Sequence, residues 1–63
     1  MNIPEEVDRI QEFVDRENFH AAINIAISAL NECRRNKDQE GIDLFLDLIG
    51  GIVDTMRSKY SGI

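Results

Sequence analysis

Apolar residues recur along the N-terminal stretch with a helical period. Ile3, Val7, Ile10 and Val14 are spaced four, three and four apart, one face of an α-helix, and Phe13 widens that face. This predicts a helix over about residues 3–15. Asn2 can cap it, with Glu5 three positions on completing a capping-box pattern. Pro4 sits near the start, where a helix tolerates proline. Glu5, Glu6 and Asp8 crowd the first turn, where the helix dipole favours negative charge.

A second helix is predicted over about residues 18–35. Phe19, Ala22, Ile23, Ala26, Leu30 and Cys33 form its stripe, flanked by Ile25 and Ile27. Ala21, Ala22, Ala26 and Ala29 are small enough to let another helix come close. Arg34 and Arg35 fall in the last turn, where cations suit the dipole. At about 100° per residue the first stripe centres roughly 150° from the second. The polar run Asp15-Arg16-Glu17-Asn18 lies at this change of phase, so a break is expected there, with Asn18 or Asp15 capping the new start. One continuous helix engaging different neighbours is the alternative.

Asn36-Lys37-Asp38 reads as a turn in which Asn36 or Asp38 caps the next helix. That third helix is expected over about 39–60, with Ile42, Phe45, Ile49, Ile52, Val53, Met56 and Tyr60 on one face, broadened by Leu44, Leu46 and Leu48. Gly50 and Gly51 fall mid-helix on the polar side with Asp43, Asp47 and Asp54, each costing roughly 1 kcal/mol against alanine. They mark a kink or a point where another backbone comes close. Ser61-Gly62 reads as the stop. Strand and hairpin signals are missing from the sequence. Residues 1–63 are therefore read as a single all-α domain, a short N-terminal helix plus an antiparallel helical hairpin, the short connection making the last two helices neighbours. The expected core is Val7, Ile10, Val14, Phe19, Ile23, Leu30, Phe45, Ile49, Ile52, Val53 and Met56.

Size and charge sharpen this picture. A chain of 63 residues buries only about 60% of its unfolded surface. Domains this small usually gain stability from disulfides, a metal or a partner chain. A lone cysteine, Cys33, forms no internal disulfide, and with one histidine, His20, it falls short of a four-ligand zinc site. Assembly into a homo-oligomeric helical bundle is the remaining route, a dimer being the commonest form. A net charge of −5 argues against broad nonspecific binding to nucleic acid. The N-terminus is polar and acidic, unlike a signal peptide. No apolar run approaches the roughly 18 residues of a membrane span. These features and the unpaired cysteine point to a reducing cytoplasm.

The chemistry-bearing residues read mostly as structural. Asp43, Asp47 and Asp54 share a helical face turned away from the apolar stripe, where nothing raises a carboxylate pKa as a general acid requires. His20 and Cys33 lie thirteen residues apart on one helix, roughly 20 Å at 1.5 Å per residue, too far to act together. Gly50-Gly51 lacks the preceding strand and following lysine of a phosphate-binding loop. No catalytic residue, metal site or cofactor is expected. Arg34, Arg35 and Lys37 form the one basic cluster, a candidate contact for phosphate or an acidic partner. The apolar excess is more informative: Ile25, Ile27, Leu44, Leu46 and Leu48 cannot all point at one intrachain seam. Either the first helix covers some of them or they form an interface with another copy or a partner.

Three resemblances bear on these expectations. Glu17-Asn18-Phe19-His20-Ala21-Ala22-Ile23, then Ala26 and Ala29-Leu30, resembles the second helix of a tetratricopeptide repeat, and Asp38-Gln39-Glu40-Gly41 through Leu48-Ile49-Gly50 resembles the opening helix of the next. The repeat's aromatic and glycine positions are missing from Ile3 to Val14, so the likeness is one of helical-hairpin packing. In length and overall character, across all 63 residues, the chain resembles the small accessory proteins of the early region of lambda-like bacteriophages. That resemblance implies a cytoplasmic, helix-rich factor modulating host or developmental decisions, and it carries over no site residues. The architecture is also similar to the Rop family of plasmid copy-control proteins, acidic helical hairpins that dimerise and bind RNA. The expected function is thus a non-enzymatic regulatory or accessory protein acting by protein–protein binding. The alternative is a dimeric nucleic-acid-binding regulator using the basic turn.

Overall fold

The computed structural model describes residues 1–60 and contains three α-helices: α1 (Ile3–Asp15), α2 (Phe19–Arg35) and α3 (Gln39–Tyr60). The fold is all-α, with no strand among the described residues. The stop read at Ser61-Gly62 lies outside them. Asn2 caps α1, its Oδ1 accepting a hydrogen bond from the Glu5 amide at 3.2 Å.

The two interhelical turns share one construction. At the end of α1 the Asn18 amide donates to the Phe13 carbonyl (2.8 Å) and the Glu17 amide to the Val14 carbonyl (2.9 Å). At the end of α2 the Asp38 amide donates to the Cys33 carbonyl (2.9 Å) and the Lys37 amide to the Arg34 carbonyl (3.1 Å). This paired return satisfies the last carbonyls of a helix, and it requires a left-handed residue just past the end. Glu17 (φ 61°) and Lys37 (φ 55°) occupy those positions. The residue after each then caps the next helix: Asn18 Oδ1 accepts from the Ala21 amide at 3.3 Å, and Asp38 Oδ1 from the Gly41 amide at 3.1 Å. The pattern Glu17, Asn18, Ala21 thus recurs as Lys37, Asp38, Gly41. Of the alternative caps, Asn18 and Asp38 are the ones used, and the break at residues 16–18 separates α1 from α2.

The core sits on α2, which packs against both neighbours. Its small stripe (Ala22, Ala26, Ala29, Cys33) is buried, as are Phe19 at its start, Ile10 of α1, and Phe45 and Ile52 of α3. Removing such side chains from water stabilises the fold by roughly 1.5–3 kcal/mol for each large one. The approach of α2 and α3 is tightest at Gly41: a Cβ there would lie 2.5 Å from Cys33 Sγ and 2.7 Å from Asp38 Oδ2. At the far end the Tyr60 ring meets Phe19 edge-on, 6.4 Å between centroids, and the Lys59 ammonium pairs with the Glu17 carboxylate. The end of α2 therefore meets the start of α3, and the start of α2 meets the end of α3. No buried side-chain nitrogen or oxygen among the described residues lacks a partner.

The core differs from the expected one. Val53 is exposed rather than buried. Ile23, Leu30, Ile49 and Met56 are only half-buried, packed against the margin of the core, as are Val7 and Val14. Alanines, which bring the helices close, occupy the α2 seam and push the larger side chains to its edges.

Candidate functional site

A residue advances about 100° round an α-helix. On α3 this separates two flanks. Leu48, Gly51 and Thr55 lie on the flank that meets α1, where with Ile10, Gln11, Val14, Asp47 and Ile52 they line a groove of about 320 Å³. Ile42, Leu46, Ile49 and Val53 lie on the opposite flank. α2 divides in the same way. Ala29 and Glu32 face α1, and Glu32 Oε2 stands 3.7 Å from the Met1 ammonium. Ile23, Ile27 and Leu30 lie on the far side. With α2 and α3 meeting start to end, their outer flanks fall on one side of the molecule. On that side, away from α1, Ile27, Leu46 and Val53 are exposed beside half-buried Ile23, Leu30, Ile42 and Ile49.

The five side chains read as interface candidates fall in different places. Ile25 and Leu48 are on the α1 side and half-buried against the core. Leu44 is also on that flank of α3 but 39% exposed. Ile27 and Leu46 belong to the open face, 42% and 53% exposed. Val53, expected in the core, joins them at 39%. Its signal was present in the sequence as spacing: Ile42, Leu46, Ile49, Val53, Met56 and Tyr60 follow a strict four-three repeat, displaced to one side of the buried Phe45–Ile52 line.

The basic cluster is a second feature. Arg34 and Arg35, with Asn31, line a shallow open depression at the end of α2. Lys37 follows in the left-handed turn, and all three cations are exposed. Their side chains form no ion pair among the described residues, whereas Arg9, Arg16 and Lys59 pair with Glu6, Glu12 and Glu17.

The remaining chemical groups stay apart. Cys33 is buried, and burial, reinforced by the Asp38 and Glu32 charges, pushes its thiol above the usual value. That suppresses the thiolate a nucleophile needs. His20 is exposed on the outside of α2, and Asp43, Asp47 and Asp54 are exposed on α3. Asp43 accepts a hydrogen bond from Gln39 Nε2 at 2.9 Å. Among the described residues no group of three or more His, Cys, Asp or Glu side chains is placed to hold a metal ion, and no helix is long and apolar enough to cross a membrane. No protein-family model, curated protein sequence or solved structure matches the chain.

Proposed function

We propose that this chain is a non-enzymatic regulatory or accessory protein of the cytoplasm, acting by binding other proteins as a homo-oligomer built on an antiparallel α2–α3 hairpin. The observation that carries this reading is the apolar face opposite α1, where Ile27, Leu46 and Val53 stand exposed beside half-buried Ile23, Leu30, Ile42 and Ile49. Exposed apolar side chains grouped on one side of a helix pair support an interaction site there. The chemistry supports the same reading, since the buried thiol and the exposed imidazole and carboxylates do not converge on a common point. A role like that of the early-region phage accessory proteins, modulating a host or developmental decision, accords with the size and acidity.

A second reading rests on the unpaired cations. Arg34, Arg35 and Lys37, doubled in a dimer, would offer a local positive patch to nucleic acid despite the overall charge of −5. Two variants separate the readings. The triple Arg34→Gln/Arg35→Gln/Lys37→Gln variant removes the cations, and Leu46→Asp charges the apolar face. Protein binding requires that cellular activity survive the first and be lost in the second. Nucleic-acid binding requires loss in the triple variant, together with binding to labelled DNA or RNA that weakens steeply with salt.

A further inference from the structure

Resting on the protein-binding reading, we infer that the groove between α1 and α3 is the docking site for a cationic amphipathic helix of another protein. The apolar stripe of that helix lies on the groove floor, and its lysines and arginines meet two acidic edges.

The groove follows from how the helices are arranged. α2 packs against both neighbours, whereas α1 and α3 barely meet. Between them buried Ile10 and Ile52 form the floor, and half-buried Val14 and Leu48 form the lower walls. Gly51 stands exposed at the α3 edge, and a Cβ there would meet nothing within 4 Å. The mouth is therefore open at that point to a side chain from outside. The described residues offer no strand edge to an extended peptide. Two helices splayed over a third leave a trough, which a helix fills by laying its apolar stripe between them. α1 has 13 residues, about 20 Å at 1.5 Å per residue, so the trough takes an occupant of about four turns.

Charge selects the occupant. Gln11 and Asp47 line the groove. Asp8 and Asp15, three positions before Gln11 and four after it, continue the same edge of α1. The Gln11 amide reaches Asp15 Oδ1 at 2.9 Å along that edge. Glu40, seven positions before Asp47, continues the edge of α3. All four carboxylates are exposed, and none pairs with a cation among the described residues. The cations lie elsewhere. Arg9 and Arg16 fall on the other flank of α1, held by Glu6 and Glu12, and Lys59 pairs with Glu17. Arg57 shares the opposite flank of α3 with Leu46 and Val53. Arg34 and Arg35 line a separate depression, and Lys37 follows in the turn. An apolar floor between two rows of unpaired carboxylates complements a helix whose apolar stripe is flanked by lysine or arginine. A second copy of this chain, at −5 overall, brings the wrong sign to these edges.

Fluorescence anisotropy on the full chain tests this. The probe is a labelled synthetic peptide of about four turns, with leucine at i, i+3, i+4 and i+7 and lysine elsewhere. The chain should bind it. Gly51→Leu fills the mouth from an open position and should weaken binding about tenfold or more, while the helical circular dichroism signal persists. Asp15→Asn/Asp47→Asn removes one carboxylate from each edge and should also weaken binding about tenfold. Glu5→Gln/Asp43→Asn removes the same charge from beyond the groove and should change binding less than about twofold. A peptide with glutamate in place of every lysine should not bind. Equal losses from the two charge pairs would mean general attraction to an acidic chain and overturn the groove, as would undiminished binding by Gly51→Leu. Equal binding of the glutamate peptide overturns the cationic assignment. No binding of the lysine peptide overturns the proposal as a whole. If cellular activity is then still lost in Leu46→Asp and kept in the triple Arg34→Gln/Arg35→Gln/Lys37→Gln variant, the protein-binding reading stands without this groove.

Discussion

Gly41→Ala tests the tightest point of the fold. In an open helix position alanine for glycine stabilises by roughly 1 kcal/mol. At Gly41 the added methyl would meet Cys33 Sγ at 2.5 Å and Asp38 Oδ2 at 2.7 Å. Cys33 is buried and short, so its sulfur has little room to retreat. Asp38 moves only by disturbing the cap it provides to the Gly41 amide. Overpacking typically costs about 1–3 kcal/mol and a damaged cap about 1, so the net loss should be about 1–3 kcal/mol once the propensity gain is subtracted. Gly51→Ala, whose methyl meets nothing within 4 Å, should instead gain about 1 kcal/mol. Urea unfolding followed by circular dichroism, at one fixed protein concentration, reads both. In a domain of this size each 1 kcal/mol also moves the melting temperature by about 4–8 °C. A double-mutant cycle with Cys33→Ala adds a sharper criterion. Removing the sulfur relieves the clash, so Gly41→Ala should cost less in the Cys33→Ala background by about 1 kcal/mol. Equal gains from Gly41→Ala and Gly51→Ala, or no coupling to Cys33, would refute the close α2–α3 approach.

Three further outcomes are expected. Lys37→Gly relieves the left-handed strain at the second turn (φ 55°) and should stabilise by about 0.5–1 kcal/mol in the same unfolding assay; a loss would deny the turn geometry. Burial keeps the Cys33 thiol protonated in the fold, so above the ordinary thiol value of 9.0 the unfolded chain holds fewer protons than the folded one. Stability should therefore fall as pH rises past that value, and a urea midpoint in Cys33→Ala that falls just as steeply would show the thiol is not the cause. Gly50→Ala, whose methyl also meets nothing within 4 Å, should gain about 1 kcal/mol as Gly51→Ala does; a loss in the same unfolding assay would deny the open surroundings of that position.

Much of the helical layout was legible because each segment carries its own period and caps. The phase jump between Val14 and Phe19 located the first break, and Asn36-Lys37-Asp38 located the second. Left-handed residues were not legible, because Glu17 and Lys37 fill positions where glycine or asparagine would have announced the motif. The core was read too generously. Hydrophobicity ranks Ile23, Leu30 and Val53 above alanine, but close packing of helices selects the small Ala22, Ala26 and Ala29 for the centre. Gly41 escaped notice because its role depends on Cys33, eight positions away across the turn. The five interface candidates shared only an apolar character. Separating Ile27 and Leu46 from Ile25 and Leu48 requires knowing which side of the hairpin α1 occupies.

The most direct test of self-association through the uncovered face is the absolute mass in solution, by light scattering behind a sizing column, over a wide range of loading concentrations. Association through that face requires a species of twice the 7.2 kDa chain mass that dissociates in Leu46→Asp while the helical signal persists. A folded species at the single-chain mass throughout the range would contradict it.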